Sequence, residues 1–232
     1  MSLDSQSIKP LGNKILSALP EKDLTRIKTK LEPFDLVFGA TINVPNQLAD
    51  YIYFPDSGII SLLGTLGEGA NLEIGIVSRD GAVPLCPFLG TPSSPVKAVV
   101  QGNGIAQRIK TADLLEECSL TPQLTTMLLH FTRSLMLQIS QCAICFRFHK
   151  LEERLARWLL MSADCMVSNE YQLTHEFLSH MLGVRREGVT NAATHLQKQG
   201  VIQYTRGKIK ILDRKALEQA SCPCYAILKG EI

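Results

Sequence analysis

The chain has 232 residues, 45% hydrophobic and 20% charged, with a formal net charge of +2 and seven cysteines. That balance is ordinary for a soluble globular protein and argues against a disordered chain, and no stretch is apolar over the roughly 20 residues needed to cross a bilayer. Cysteines in odd number without regular spacing argue for reduced thiols, and the start MSLDSQSIKPLG lacks the basic and apolar regions of a signal peptide, so a cytoplasmic protein with no membrane partner is expected.

In chain order, residues 20–31 read as a short helix, followed between 34 and 109 by short β-rich runs punctuated by glycine and proline. The runs are 36–38, 51–54, 58–63, 72–77, 96–100 and 105–109, and several strands at this spacing predict a sandwich or roll. Turns around Gly67, Gly69, Asp80-Gly81 and Gly102 to Gly104 fit hairpins. No G-x-x-x-x-G-K follows a strand into a helix, so no nucleotide-hydrolysing site is expected here.

Residues 122–148 then form one long predicted helix. Leu124, Leu128, Phe131, Leu135, Gln138, Cys142 and Cys145 recur at alternating steps of four and three, the spacing of a coiled-coil seam. Leu124, Leu128, Phe131, Leu135 and Cys142 are therefore the expected homodimer contacts. Leu129, Met136 and Ile139 widen the apolar face, which can lie against the roll on one side and a partner helix on the other. A second helix, 149–166, carries Leu151, Leu155, Trp158, Leu159 and Met161 or Ser162 at helical spacing and is expected to pack in the core.

The segment LTHEFLSHMLGVRREGVTNAA carries the sharpest pattern. With His175 as its first position, Leu178, Leu182, Val184, Val189 and Ala192 fall where two helices of a helix-turn-helix meet, and Gly183 falls at the turn, where a left-handed backbone suits glycine. At 100° per residue, Arg186, Glu187, Thr190, Asn191 and Thr194 occupy an arc of about 140° on the second helix, opposite Val189, Ala192, Ala193 and Leu196. Arginine, glutamate and asparagine at such positions have the donors and acceptors to read base edges in a major groove. After a stop at Gln199-Gly200, runs 201–204 and 208–212 read as a hairpin wing, with Arg206, Lys208 and Lys210 placed to meet phosphates. The predicted DNA contacts are Arg185, Arg186, Glu187, Thr190, Asn191, Thr194, Arg206 and Lys208. Charge supports this: the first 120 residues hold 10 Lys and Arg against 13 Asp and Glu, whereas the remainder holds 14 against 9.

The order of roll, long helix and winged helix-turn-helix resembles the Crp/Fnr family of bacterial transcription regulators, on LTHEFLSHMLGVRREGVTNAATHLQKQGVIQYTRGKIKIL and on YFPDSGIISLL with LEIGIVSRDG. The resemblance implies an α+β chain: a cyclic-nucleotide-binding-like β-roll (a double-stranded β-helix) over 1–120, a dimerisation helix over 121–148 and a winged helix-turn-helix DNA-binding domain over 149–232. It implies a homodimer on a two-fold promoter site in double-stranded DNA, with RNA polymerase as a partner and an effector of unknown identity at the roll. Arg186-Glu187 stand where the family often carries an Arg-Glu pair, while Asn191 replaces a further basic contact.

Where cyclic-nucleotide binders of the family carry Gly-Glu-Leu and Arg-Ser-Ala, this chain has Gly81-Ala82-Val83 and Ser94-Pro95-Val96, so tight cyclic AMP binding is not expected. The iron–sulfur members use an N-terminal cysteine cluster, but the first cysteine here is Cys86. Cys142-x-x-Cys145 and Cys222-Pro-Cys224 can each bind metal or oxidise in a rival, redox- or metal-responsive reading; neither has the second pair or histidine spacing of a zinc site, and buried structural thiols, with no metal and no cofactor, are the expectation for the helix pair. His149, His175, His180 and His195 form no H-E-x-x-H, and no nucleophile elbow is present, so no enzyme is expected. A third alternative is an interaction module that uses roll and helix for assembly alone.

Overall fold

The computed structural model describes residues 11–66, 70–166, 168–205 and 207–229. The predicted turn at Gly67 and Gly69, the segment before residue 11 and Arg206 lie outside the described residues.

Two short helices open the chain, α1 (Lys14–Ser17) and α2 (Glu21–Lys28). The first starts at Asn13, whose side chain accepts from the amides of Ile15 and Leu16 and donates to the carbonyls of Pro55 and Gly81, at 3.1 and 2.9 Å. Capping the helix and satisfying the roll with one buried amide fixes where the chain enters. The second helix has Glu21 and Asp23 in its first turn and Arg26 and Lys28 in its last, in the sense its macrodipole favours.

The roll follows as β1 (Glu32–Leu36), β2 (Thr41–Asn43), β3 (Tyr51–Pro55), β4 (Ile59–Leu66), β5 (Ala70–Val77), β6 (Lys97–Gly102) and β7 (Gly104–Lys110). They form two antiparallel sheets, ordered β1-β7-β3 and β2-β6-β4-β5. The inner faces meet on Leu36, Ile52, Phe54, Ile60, Val100 and Ile109. The run expected at 36–38 lies earlier, because Val37 and Phe38 leave the sheet; Phe38 instead meets Phe177 at 5.2 Å between ring centroids.

A helix the sequence pattern did not reveal, α3 (Thr111–Leu120), leads into α4 (Pro122–Phe148), whose first position is the proline. Leu124, Leu128 and Phe131 of α4 join the core of their own roll. Gly81 makes room for Phe131: a Cβ there would lie 2.3 Å from its ring. Gln138, on the same seam, accepts from the Ile76 amide and turns its own amide toward the Ile76 carbonyl at 3.4 Å, beside Gly75.

The remaining elements are α5 (Leu151–Met166), β8 (Glu170–Gln172), α6 (His175–Leu182), α7 (Arg186–Lys198), β9 (Ile202–Thr205), β10 (Lys208–Ile211), α8 (Arg214–Ala220) and α9 (Cys224–Lys229). Nearly all of α5 is buried, because it has neighbours on two sides. Its Leu155, Trp158 and Leu159 share one core with Ile59, Leu63 and Ile76 of the roll and with Leu178, Leu182 and Val189 of α6 and α7. The wing is three-stranded, in the order β8-β10-β9, with Ile209 opposite Tyr204 and Tyr171. Three-residue β8 is too short to show a period.

Candidate nucleic-acid interface

The helix-turn-helix is built by local chemistry. Thr174 caps α6 by accepting from the Phe177 amide at 3.0 Å, and Gly183 ends it in the left-handed region at φ 61°. The Val184 amide then donates to the Ser179 carbonyl at 3.0 Å, which closes the turn. Leu178, Leu182, Val189 and Ala192 are buried between the two helices, Val184 is half-buried and Gly183 is exposed, with Leu72 of β5 against the place a Cβ would take. Small Ala192 and Ala193 let α7 lie close to α5.

Burying that face leaves Arg185, Arg186, Glu187, Thr190, Asn191 and Thr194 exposed together. Arg185 precedes α7 in an extended conformation and no side chain caps the helix, so its first amides are open to an anion. Thr190 differs from its neighbours: its hydroxyl lies 3.0 Å from the Arg186 carbonyl and 3.0 Å from His175 Nδ1, so its polar atom is engaged inside the motif. The His175 ring stacks on Tyr204 at 4.4 Å and 11°, tying α6 to the wing. Burial first, and then the Arg186 charge, hold His175 below the ordinary imidazole range. On the wing Lys208 and Lys210 are exposed on β10.

The long helix requires a correction. Leu124, Leu128, Phe131 and Cys142 are buried within the chain itself and Leu135 is half-buried, so the seam expected to face a partner faces the roll and α5. Cys142 Sγ lies 3.8 Å from Arg157 Nη1 of α5. Still open on α4 are Leu129, Met136 and Ile139, at 51%, 65% and 37% exposure, the residues that widen the apolar face, and, nearer its end, Ile144 and Phe148.

Within the roll, a cavity of about 280 Å³ is lined by Ala82, Val83, Ser94, Pro95 and Val96 and closed by Leu135, Met136 and Ile139 of α4. None of its lining residues carries a charge. A buried polar chain joins the roll to α5: Trp158 Nε1 donates to Glu73 Oε1 at 2.7 Å, and Gln101 Nε2 donates to Ser162 Oγ at 2.9 Å. Ser61 Oγ lies 2.7 Å from Glu73 Oε2 and 2.6 Å from Gln101 Oε1. Serine has one proton for these two acceptors, and a protonated Glu73 supplies the other. Burial pushes the Glu73 carboxyl up to about 7, against the Ser61 and Trp158 hydrogen bonds and the Arg157 charge.

One grouping escaped the sequence reading. Cys145 and His149 meet Cys222 and Cys224, with all four ligand atoms within 4.8 Å of one another. The two cysteine pairs show no mutual spacing in sequence; Cys145-x-x-x-His149, one helical turn apart, was the available signal.

A β-roll, a long helix and a winged helix-turn-helix head together define the architecture of the Crp/Fnr transcriptional regulators. Residues 153–220 match the Crp-like helix-turn-helix domain family. A protein described as a Crp/Fnr-family transcriptional regulator from Eubacterium rectale superposes with a TM-score of 0.71 at 19% identity, over 90% of this chain and 98% of its own. FixK2 from Bradyrhizobium japonicum gives 0.69 at 17% identity, over 83% and 98%. The regulator CLP from Xanthomonas campestris, described as c-di-GMP responsive, gives 0.69 at 14%, over 84% and 100%. No curated protein sequence matches the chain. The chain thus carries a Crp-like helix-turn-helix domain within the Crp/Fnr fold.

Proposed function

We propose that the protein is a sequence-specific, DNA-binding transcription regulator that works in the cytoplasm as a homodimer, with RNA polymerase as a further partner. The observation that carries this reading is α7, whose apolar face is buried and whose Arg186, Glu187, Asn191 and Thr194 stand exposed as one polar face. Arg185, Lys208 and the open amides at the start of α7 serve phosphates, while Arg186, Glu187 and Asn191 serve base edges. Thr190 acts chiefly by holding His175. Dimerisation uses the open stripe of Leu129, Met136 and Ile139, not the buried seam, and two heads side by side read a two-fold site.

The roll takes the controlling signal in its cavity. Because no charged side chain lines it, the reading favours a small, largely apolar effector over a cyclic nucleotide. Met136 and Ile139 belong to both the cavity wall and the open stripe of α4, which gives an occupant a route to the dimer contact.

The test is selection of duplexes from a random library followed by gel shift on the winning site. Arg186→Ala is expected to weaken the specific complex by about 1–3 kcal/mol and relax preference at one base pair, whereas Lys208→Ala weakens all sequences alike and reduces the salt dependence. Failure of any sequence to be enriched, or unchanged binding by Arg186→Ala, would refute the assignment.

A further inference from the structure

The end of the long helix and the C-terminal segment meet at four side chains that the DNA-binding reading does not use. Cys145 lies in the last turn of α4 and His149 caps it, while Cys222 precedes α9 and Cys224 begins it. Cys145 Sγ is 3.5 Å from Cys222 Sγ, and Cys224 Sγ is 3.4 Å from His149 Nδ1. Around a tetrahedral zinc ion, with Zn–S of about 2.3 Å and Zn–N of about 2.0 Å, ligand atoms are separated by about 3.8 Å for two sulfurs and about 3.5 Å for sulfur and nitrogen. The two distances fall within a few tenths of those edges, and no pair exceeds 4.8 Å. At 3.5 Å the Cys145 and Cys222 sulfurs are not joined as a disulfide, whose bond is about 2.05 Å.

The surroundings suit a thiolate-bound ion. The three sulfurs are buried as a cluster of their own, and Gln141 Nε2 donates to Cys224 Sγ at 3.0 Å, the kind of outer contact that orients a metal-bound thiolate. Arg157 is 5% exposed, its Nε has no hydrogen-bond partner, and among the described residues no carboxylate lies within ion-pair distance. Glu73, the buried carboxyl of this region, bonds Ser61 and Trp158 instead. A dication held by three thiolates and one neutral imidazole carries net negative charge, which opposes the buried guanidinium; neutral thiols leave that charge uncompensated.

We propose that Cys145, His149, Cys222 and Cys224 form a closed, four-coordinate site for a zinc-type divalent ion that staples the C-terminal segment to the end of the long helix. Each cysteine gives its thiol proton to solvent as its sulfur–metal bond forms, and the imidazole nitrogen binds as a neutral donor. Four protein ligands leave no open position, so the ion is structural rather than catalytic.

The test uses the full chain, purified reduced under anaerobic conditions, with elemental analysis before and cobalt(II) titration after chelator treatment. The expected result is zinc in the untreated protein and saturation at one cobalt per chain, with the strong visible bands of a tetrahedral ion, a sulfur-to-metal charge-transfer band and displacement by zinc. Cys224→Ser weakens cobalt binding by at least about tenfold, His149→Cys retains the site with an all-sulfur spectrum, and Cys118→Ser changes nothing. His149→Ala stands in if Cys224→Ser fails to fold. No saturable binding, a six-coordinate spectrum, an unaltered titration in Cys224→Ser, iron with acid-labile sulfide, or a Cys145–Cys222 disulfide in the protein as isolated each overturns the proposal. The readout does not involve DNA, so it stands or falls apart from the DNA-binding reading.

Discussion

Glu73 makes stability depend on pH in a direction opposite to that of most carboxylates. Its carboxyl is raised from 4.5 to about 7 by burial between the roll and α5, so the folded chain holds its proton more tightly than the unfolded chain does. The contribution is therefore complete below the unfolded value and is lost as pH rises through the folded one. At 1.36 kcal/mol per pKa unit the whole window is worth about 3 kcal/mol, of which about 2 kcal/mol falls between about pH 5.5 and about pH 8. Glu73→Gln keeps an uncharged group able to accept from Trp158 and donate to Ser61, and removes the titration. Urea unfolding followed by fluorescence of Trp158, the single tryptophan and itself the Glu73 partner, compares the two proteins at both pH values. The wild type is expected to lose about 2 kcal/mol relative to Glu73→Gln on going from the lower pH to the higher. A stability difference between the two proteins that stays constant with pH would refute a protonated Glu73.

Other outcomes follow from packing. Leu128→Ala, fully buried between α4 and the roll, is expected to cost about 2–5 kcal/mol by urea unfolding, whereas a residue free to face a partner would cost far less in the monomer. Leu129→Glu on the open stripe is expected to halve the mass in light scattering with circular dichroism unchanged; a retained dimer places the contact elsewhere. Gly183→Ala is expected to lose more stability than Gly90→Ala, since both glycines have positive φ but only at Gly183 would a Cβ lie 2.5 Å from Leu72 Cδ1. Equal losses would show that Leu72 yields freely.

The reading head was legible because its determinants are local: a cap, a glycine at a turn and helical spacing all lie within some twenty residues. The long helix was legible as a helix, but a four-three seam has the same appearance whether it meets another helix or a sheet. Gln138 marks the difference, since its amide is matched to a strand backbone. In β5, Glu73 alternates with Leu72 and Ile74 as a solvent-facing residue does, and only the arrival of α5 over that face buries it. The Cys145 and Cys222 contact joins residues 77 positions apart, and the sequence offered no spacing to connect them. That is why no metal was expected there.

The Gln138 contact has a consequence for solubility. β5 is an outer strand of the four-stranded sheet, and an unpaired strand edge is a template onto which another chain can add by backbone hydrogen bonding. A primary amide carries the donor and acceptor of a peptide group, so Gln138 fills the next strand's place at Ile76 with a side chain that cannot propagate. Gly75 admits it, and the backbone of α4 has no pairing groups left to offer. At Ile76 one glutamine thus occupies the outer edge of the sheet and closes that position to a second molecule, while α4 and α6 pack along the rest of β5.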